Sequence, residues 1–554
     1  MKMSKRGMAI VHSIVVIVLG VLGISLPPDA SAFSFKLSDD IMGAFDTDVT
    51  YGYMRRMQSA QNDTKGTSYG NRVLFPDRGD TLSNAIRVSH TLEIKRGDMG
   101  YLMRGNYFYD AAFRNKNLPT DTRNSLVHSE DITDAVFYTK LGDNFNLRVG
   151  KQVINWGEST FIQGGIADIN TFDIRKLRVP GSDLKDAFVG ANAIDLSWSD
   201  NNWTVEGFGL FKFDSIKVDP MGSPFAGLDA IGDGGGFDLG GDGVRGGAGG
   251  GNIAANGGCI APDGVRCDIL GGGLVRTSDK LASKSGQWGI VVRKFIPEFF
   301  NGGEVALYMQ NLHDHLPMLS AYGKTGQYFV DYPEDIKRYG ISFNTNVAGL
   351  AIGGEYSMRK DAPLQLLAPL LNGRVNSPAP VAVGSYQQGW TTANRHQMQV
   401  TVQKNWGVVH QLGADGGSSI FEFAVGKLSR VPTGLFEPTI SKSWTGMQMR
   451  HSLTYQAALF NLIALTPKMA YRWDMHGNSN ELGGAKVFVG GRQALTLGLD
   501  FDYQGGRYKG GVSFTNFYGR HSEKNHLALC PAFICYQYHF FPNIITLSFY
   551  YFFT

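Results

Sequence analysis

Strict two-residue alternation in the last sixty residues is what most constrains this chain. Leu495, Leu497, Leu499, Phe501 and Tyr503 alternate with Thr496, Gly498, Asp500 and Asp502. Tyr508, Gly510, Val512 and Phe514 alternate with Lys509, Gly511, Ser513 and Thr515. Ile545, Leu547, Phe549, Tyr551 and Phe553 alternate with Thr546, Ser548, Tyr550, Phe552 and Thr554. A strand turns successive side chains to opposite faces. Here one face suits lipid and the other is mostly polar, the pattern of a transmembrane β-barrel strand. A half-buried soluble sheet gives the same alternation, so the rest of the chain has to decide.

The N-terminus predicts export. Lys2, Lys5 and Arg6 precede an apolar run from Ile14 to Leu26, and Ala30-Ser31-Ala32 fits a small-x-small cleavage site. Residues 1–32 are therefore expected to be a signal peptide, with the mature chain starting at Phe33. No later segment has the ~18 uninterrupted apolar residues of a transmembrane helix, and of membrane-spanning folds only helices and closed barrels satisfy their own backbone. A formal charge of +3 on 554 residues does not point to nucleic acid. The cysteines form two close pairs, Cys259 with Cys267 and Cys530 with Cys535. In an oxidising compartment such pairs are expected to be disulfides, a metal site being the alternative.

Alternation from Phe45 onward gives about 18 candidate strands, within a range of roughly 14–18. Tight connections occur at 96–98, 142–144, 200–202, 347–349 and 504–506, rich in the Gly, Asn and Asp that hairpins need. Three others, near Pro297, His410 and Phe460, are somewhat longer. Between them lie long, mostly polar stretches: 57–83, 111–131, 154–187, 214–284, 313–335, 359–394, 429–445, 475–491 and 519–542. Outer-membrane barrels alternate tight periplasmic turns with long outer loops in this way. The less apolar register holds Arg87, Glu93, Lys95, Arg104, Asp110, Arg148, Glu206, Glu304, Glu355, Gln397, Gln399, Glu422 and Asp500. That set is too charged for a packed core and suits a wet lumen. The prediction is an all-β chain: a transmembrane antiparallel up-and-down barrel forming one domain over residues 33–554, with a loop folded into its lumen.

Most motif matches are weak. The glycine-rich 214–284 stretch begins like a calcium-binding repeat at Gly240 to Val244, but Arg245 stands where an aspartate belongs, so it reads as an outer loop. Gly66-Thr67-Ser68-Tyr69-Gly70 matches the serine-hydrolase elbow string without the strand and helix that make the elbow work. His313-Asp314-His315 has metal-ligand chemistry but sits at a strand end. No nucleophile constellation or cofactor motif emerges, so neither an enzyme nor a cofactor is expected.

The 154–187 stretch differs from the other loops. Ile162, Ile166, Ile169, Phe172, Ile174, Leu177, Val179 and Leu184 need a surface to bury against, and ionisable groups are interspersed among them. Such a loop is expected to fold into the barrel and narrow it, or else to pack on the outer rim. The predicted constriction uses Arg148, Glu158, Asp173, Arg175, Lys176 and Arg178, with Trp156 as an aromatic contact. The basic run 175–178 is expected to face Glu206, Glu304 or Asp500, and Asn170 to cap a short helical turn.

Several motifs carry a family resemblance. They are Leu147-Arg148-Val149-Gly150-Lys151-Gln152, Trp156-Gly157-Glu158-Ser159, Leu177-Arg178-Val179-Pro180-Gly181 with Lys185, Leu465-Thr466-Pro467, the run from Gly491 to Leu499, and Ser513-Phe514-Thr515-Asn516-Phe517. Through them the chain resembles the proteobacterial outer-membrane family known as domain of unknown function (DUF) 1302, over almost all of the mature sequence. The resemblance implies an outer-membrane location in a Gram-negative bacterium. It also implies genes beside a second exported family and large efflux-type permeases. The function expected is a channel or transport protein for a small, hydrophobic or lipid-like molecule. Its partners would be outer-membrane lipid, that solute, and periplasmic and inner-membrane permease components. The alternatives are a porin for polar solutes and a non-conducting partner of a lipid-export system.

Overall fold

The computed structural model describes residues 33–59, 74–116, 120–178, 187–220, 223, 230–232, 275–323, 325, 327–366, 381–432, 440–482, 486–503, 505, 508–518 and 544–553. The expected signal peptide, the elbow string, all four cysteines and most of the glycine-rich stretch lie outside them.

Eighteen alternating segments form one antiparallel sheet. In chain order they are β1 Ile41–Arg56, β2 Thr81–Arg96, β3 Met99–Asp110, β4 His128–Leu141, β5 Phe145–Gln152 and β6 Ala191–Asp200. Next come β7 Trp203–Leu210, β8 Trp288–Ile296, β9 Gly303–Leu312, β10 Ile336–Val347, β11 Leu350–Gln365 and β12 Trp390–Trp406. The last six are β13 Gly416–Ser429, β14 Ser443–Leu459, β15 Ile463–His476, β16 Gln493–Tyr503, β17 Tyr508–Tyr518 and β18 Ile544–Phe553. Each pairs with its sequence neighbours, and β18 also pairs with β1, from Ile544 opposite Arg56 to Phe553 opposite Thr47. The ladder thus returns to the strand where it began. Residues Phe33–Ser38 add a short strand on the start of β1.

Turn chemistry explains the connectivity. Between β10 and β11, Ala348 and Gly349 take φ +50° and +74°, the two positive values of a tight hairpin whose twist matches its strands. The other connections expected to be short also join sheet neighbours, and long loops alternate with them around the sheet. One long stretch is more ordered than its composition suggests. Residues 313–335 contain a hairpin, Met318–Tyr322 with Gln327–Asp331, that joins two-residue strands from other long loops in a small second sheet. Leu319, Ala321, Tyr328 and Val330 bury against Phe213, Ile231 and Leu482, so the hairpin draws much of its core from residues distant in sequence.

The two faces of the large sheet differ sharply. One exposes a broad band of apolar side chains, among them Ile86, Phe137, Ile194, Leu307, Ile341, Met398 and Leu497. The other carries Glu206, Arg293, Arg338, Glu355, Arg359, Arg395, Gln397, Gln399 and Glu422, every one of them half-buried or buried. The segment after β5 lies over this face, with the loop between β15 and β16 on Arg395.

Candidate functional site

After Gln152 the chain leaves the sheet and crosses its charged face. Two wall carboxylates hold it there. Glu422 on β13 accepts the backbone amides of Thr160 at 2.9 Å, Phe161 at 2.6 Å and Ile162 at 2.9 Å. Glu355 on β11 accepts those of Glu158 at 2.7 Å and Ile166 at 2.9 Å. A loop with no ladder of its own has orphan amides, and buried orphans are costly. Here carboxyl oxygens on the sheet accept from them in place of a strand ladder.

Apolar residues of the segment fill the remaining contacts. Ile154, Trp156, Ile166 and Ile169 pack with Phe208, Val291, Ala306, Tyr308 and Leu312. Ile162 packs with Leu364, Ala393, Ala424, Leu428 and Trp444. The segment therefore touches the same face from β7 to β14. Two glycines permit this. A Cβ at Gly340 of β10 would lie 2.7 Å from the Ile166 side chain. Gly164 takes φ +96°, and a Cβ there would fall 2.7 Å from Oε1 of Gln397, onto the guanidinium of Arg395.

Charge placement also ties the segment to the wall. The strand register sets Arg338 opposite Arg359, and Arg359 opposite Arg395, on β10, β11 and β12. Like charges directly opposed across strands repel. Two loop acids offset the repulsion. Asp168 pairs with Arg359, and its carbonyl accepts from Arg338 at 2.7 Å. Glu481, from the loop between β15 and β16, pairs with Arg395. Burial alone would raise both carboxyls, but Arg359 and Arg338 hold Asp168, and Arg395 with Ser479 holds Glu481, below the usual carboxylate range. Burial pushes the Glu158 carboxyl up, against a hydrogen bond of 3.0 Å from Asn344.

The residues expected to form one constriction separate into groups. Trp156 and Glu158 lie in the docked segment. Trp156 is 1% exposed, meets the Phe208 and Tyr308 rings at tilted angles, and donates to Glu206 at 2.9 Å. In this position it anchors the segment and presents no face to a solute, which corrects its expected role. Arg148 stays on the wall of β5, opposite Asp195. Asp173, Arg175 and Lys176 sit further along, at a 3-10 turn spanning Ile174–Arg178. Arg175 pairs with Asp173 at 2.9 Å and Lys176 with Asp131 at 2.6 Å. The basic run was expected to face Glu206, Glu304 or Asp500. Arg175 and Lys176 do not: Glu206 and Glu304 are taken by Arg293, and Asp500 by Lys468, while the Arg178 side chain lies outside the described ones. The turn is capped by Asp173, which accepts the Arg175 amide at 3.1 Å, and not by Asn170. Asn170 bonds both backbone groups of Ile154, through Oδ1 at 2.9 Å and Nδ2 at 2.7 Å.

His313 and His315 are likewise used structurally. His313 accepts the Asp335 amide on Nδ1 and sits 3.0 Å from the Ser285 carbonyl through Nε2. His315 spans the carbonyls of Asp214 and Ile169. Among the described residues no group of three or more metal-ligating side chains converges.

Beside the docked segment lies a cavity of about 260 Å³. Its wall side includes Arg338, Arg359, Arg450 and Arg472, and its loop side includes Phe161, Asp168, Phe172 and Ile174. The sequence reading missed these arginines. They occupy the same alternating register as Glu355 and Glu422, so extending that register to every basic residue of β10 to β15 would have found them.

The family described as "Protein of unknown function (DUF1302)" has a model that matches residues 13–529. The chain belongs to this family. No curated protein matches this DUF1302 sequence. Among solved structures it is similar to OccAB4 of Acinetobacter baumannii, at 8% identity and TM-score 0.42, covering 92% of this chain and 97% of that one. A BenF-like porin from Pseudomonas fluorescens Pf-5 aligns at 8% identity and TM-score 0.41, covering 92% and 98%. OccK9 (OpdG) of Pseudomonas aeruginosa aligns at 9% identity and TM-score 0.39, covering 92% and 97%.

Proposed function

We propose that the eighteen-stranded sheet is a transmembrane β-barrel of the outer membrane, and that this DUF1302 protein is a channel narrowed by its docked 154–176 segment. It passes a small hydrophobic or lipid-like molecule. The observation that carries this reading is the pairing of two faces. Exposed apolar side chains run along nearly every strand of one face, an area far larger than soluble monomers leave in water. The opposite face is charged and holds a loop. Lipid outside and a wet interior meet both demands at once. The row of arginines on β10 to β12 favours a second reading, a porin for polar solutes.

Reconstitution in planar bilayers tests the channel. Discrete conductance steps are expected, and a correctly inserted protein that carries no current would leave only a non-conducting envelope partner. Orientation is checked separately. With an even number of strands and tight turns on the periplasmic side, protease added to intact cells is expected to cut within 214–284 and to spare 142–144 and 200–202. Cleavage at those turns from outside would reverse the orientation.

A further inference from the structure

Arg450 of β14 has no carboxylate partner among the described residues of the inner face. Arg359 has Asp168, Arg395 has Glu481, and Arg472 has Asp474 at 3.0 Å. Arg450 is exposed to the cavity, its guanidinium 4.2 Å from the centroid of the Phe161 ring, and no carboxylate among the described residues pairs with it. The ring fixes the guanidinium without neutralising it. Other cations line the same cavity. Cations in the lining, Arg338, Arg359, Arg450, Arg472 and Lys486, outnumber its carboxylates, Asp168, Asp314 and Glu481. The buried Nε atoms of Arg338 and Arg359 have no hydrogen-bond partner among the described residues. The other side of the same cavity is apolar, formed by Phe172, Ile174, Ile216, Leu316 and Val487.

We propose that this cavity binds an organic carboxylate with a compact apolar body. The carboxylate sits on the fork of Arg450, and the body lies against Phe172, Ile174, Ile216 and Leu316. A planar guanidinium matches a carboxylate with two parallel hydrogen bonds. A neutral lipid would leave Arg450 without a counterion. A small inorganic anion would leave the apolar wall wet. The inference deepens the channel reading by naming the class of solute, and it rests on that reading for transport but not for binding.

The probe is fluorinated octanoate, followed by fluorine NMR with the full-length protein in lipid nanodiscs. Acetate serves as the head without the body, and octyltrimethylammonium as the body with the opposite charge. Saturable octanoate binding is expected, with both controls at least about tenfold weaker. Arg450→Gln should weaken octanoate by about tenfold, and Arg450→Lys should recover part of the loss, since it restores the charge but not the fork. In bilayers, octanoate should interrupt the current of the wild type more than that of Arg450→Gln. Equal octanoate affinity in wild type and Arg450→Gln, or equal binding of octyltrimethylammonium, overturns the inference. A protein that binds octanoate through Arg450 yet carries no current keeps the site and overturns the channel. A protein that conducts without Arg450-dependent binding does the reverse.

Discussion

Replacing residues 158–172 with a short glycine-serine bridge is expected to raise single-channel conductance several-fold and to shift selectivity toward anions. As a barrel, the eighteen-stranded sheet would enclose a channel too wide for side chains alone to fill. The docked segment, reaching from β7 to β14, supplies the filling. Its removal leaves the strand ladder intact, because the ladder pairs strand to strand without it. It also takes away Glu158 and Asp168 and no basic residue. Arg338 and Arg359 would then face the lumen without Asp168, which sets the sign of the selectivity change. Reversal potentials across a salt gradient give the selectivity directly. An inserted variant with unchanged conductance and selectivity would place the segment outside the conducting path.

Glu422→Ala should have the second largest effect, from a single carboxylate. Glu422 is 0% exposed and holds three consecutive amides of the segment. Hydrogen bonds to a charged group contribute about 1.5–3 kcal/mol each, and a buried amide that loses its acceptor adds a further cost. The expected outcome is a loop that detaches and rebinds, seen as frequent transitions between two current levels. Glu422→Gln should show the same behaviour more weakly, since one oxygen still accepts. Adding Glu355→Ala should produce less than the sum of the two single effects, because either carboxylate alone decides whether the segment stays docked. Strict additivity of the two substitutions would mean that they hold independent parts of the loop.

The strands were legible in the sequence for a simple reason: a period of two needs only local residues to be seen. Leu497 and Asp500 declare opposite faces without knowledge of any neighbour. Connection length was equally local, so the order of tight turns and long loops matched the eighteen-stranded sheet. What the docked segment binds was not local. Glu355 lies 197 residues from the Glu158 amide it accepts, and Glu422 262 residues from that of Thr160. Both acids appeared in the expected inward set, but which loop they hold depends on strand order around the sheet. Trp156 was misjudged because its pattern says aromatic and not buried. Phe208 and Tyr308, which cover it, come from β7 and β9. The opposed arginines on β10 to β12 required the register itself, since a slip of one residue would turn each to the other face.

The most direct test of a barrel narrowed by its own loop is hydrogen exchange of the Thr160, Phe161 and Ile162 amides in protein reconstituted in lipid. The account predicts protection comparable to that of neighbouring strand amides in β11 to β13, since each of the three is bonded to the buried Glu422 carboxylate. Exchange at the rate of an unstructured loop, in a sample whose strand amides are protected, would contradict it.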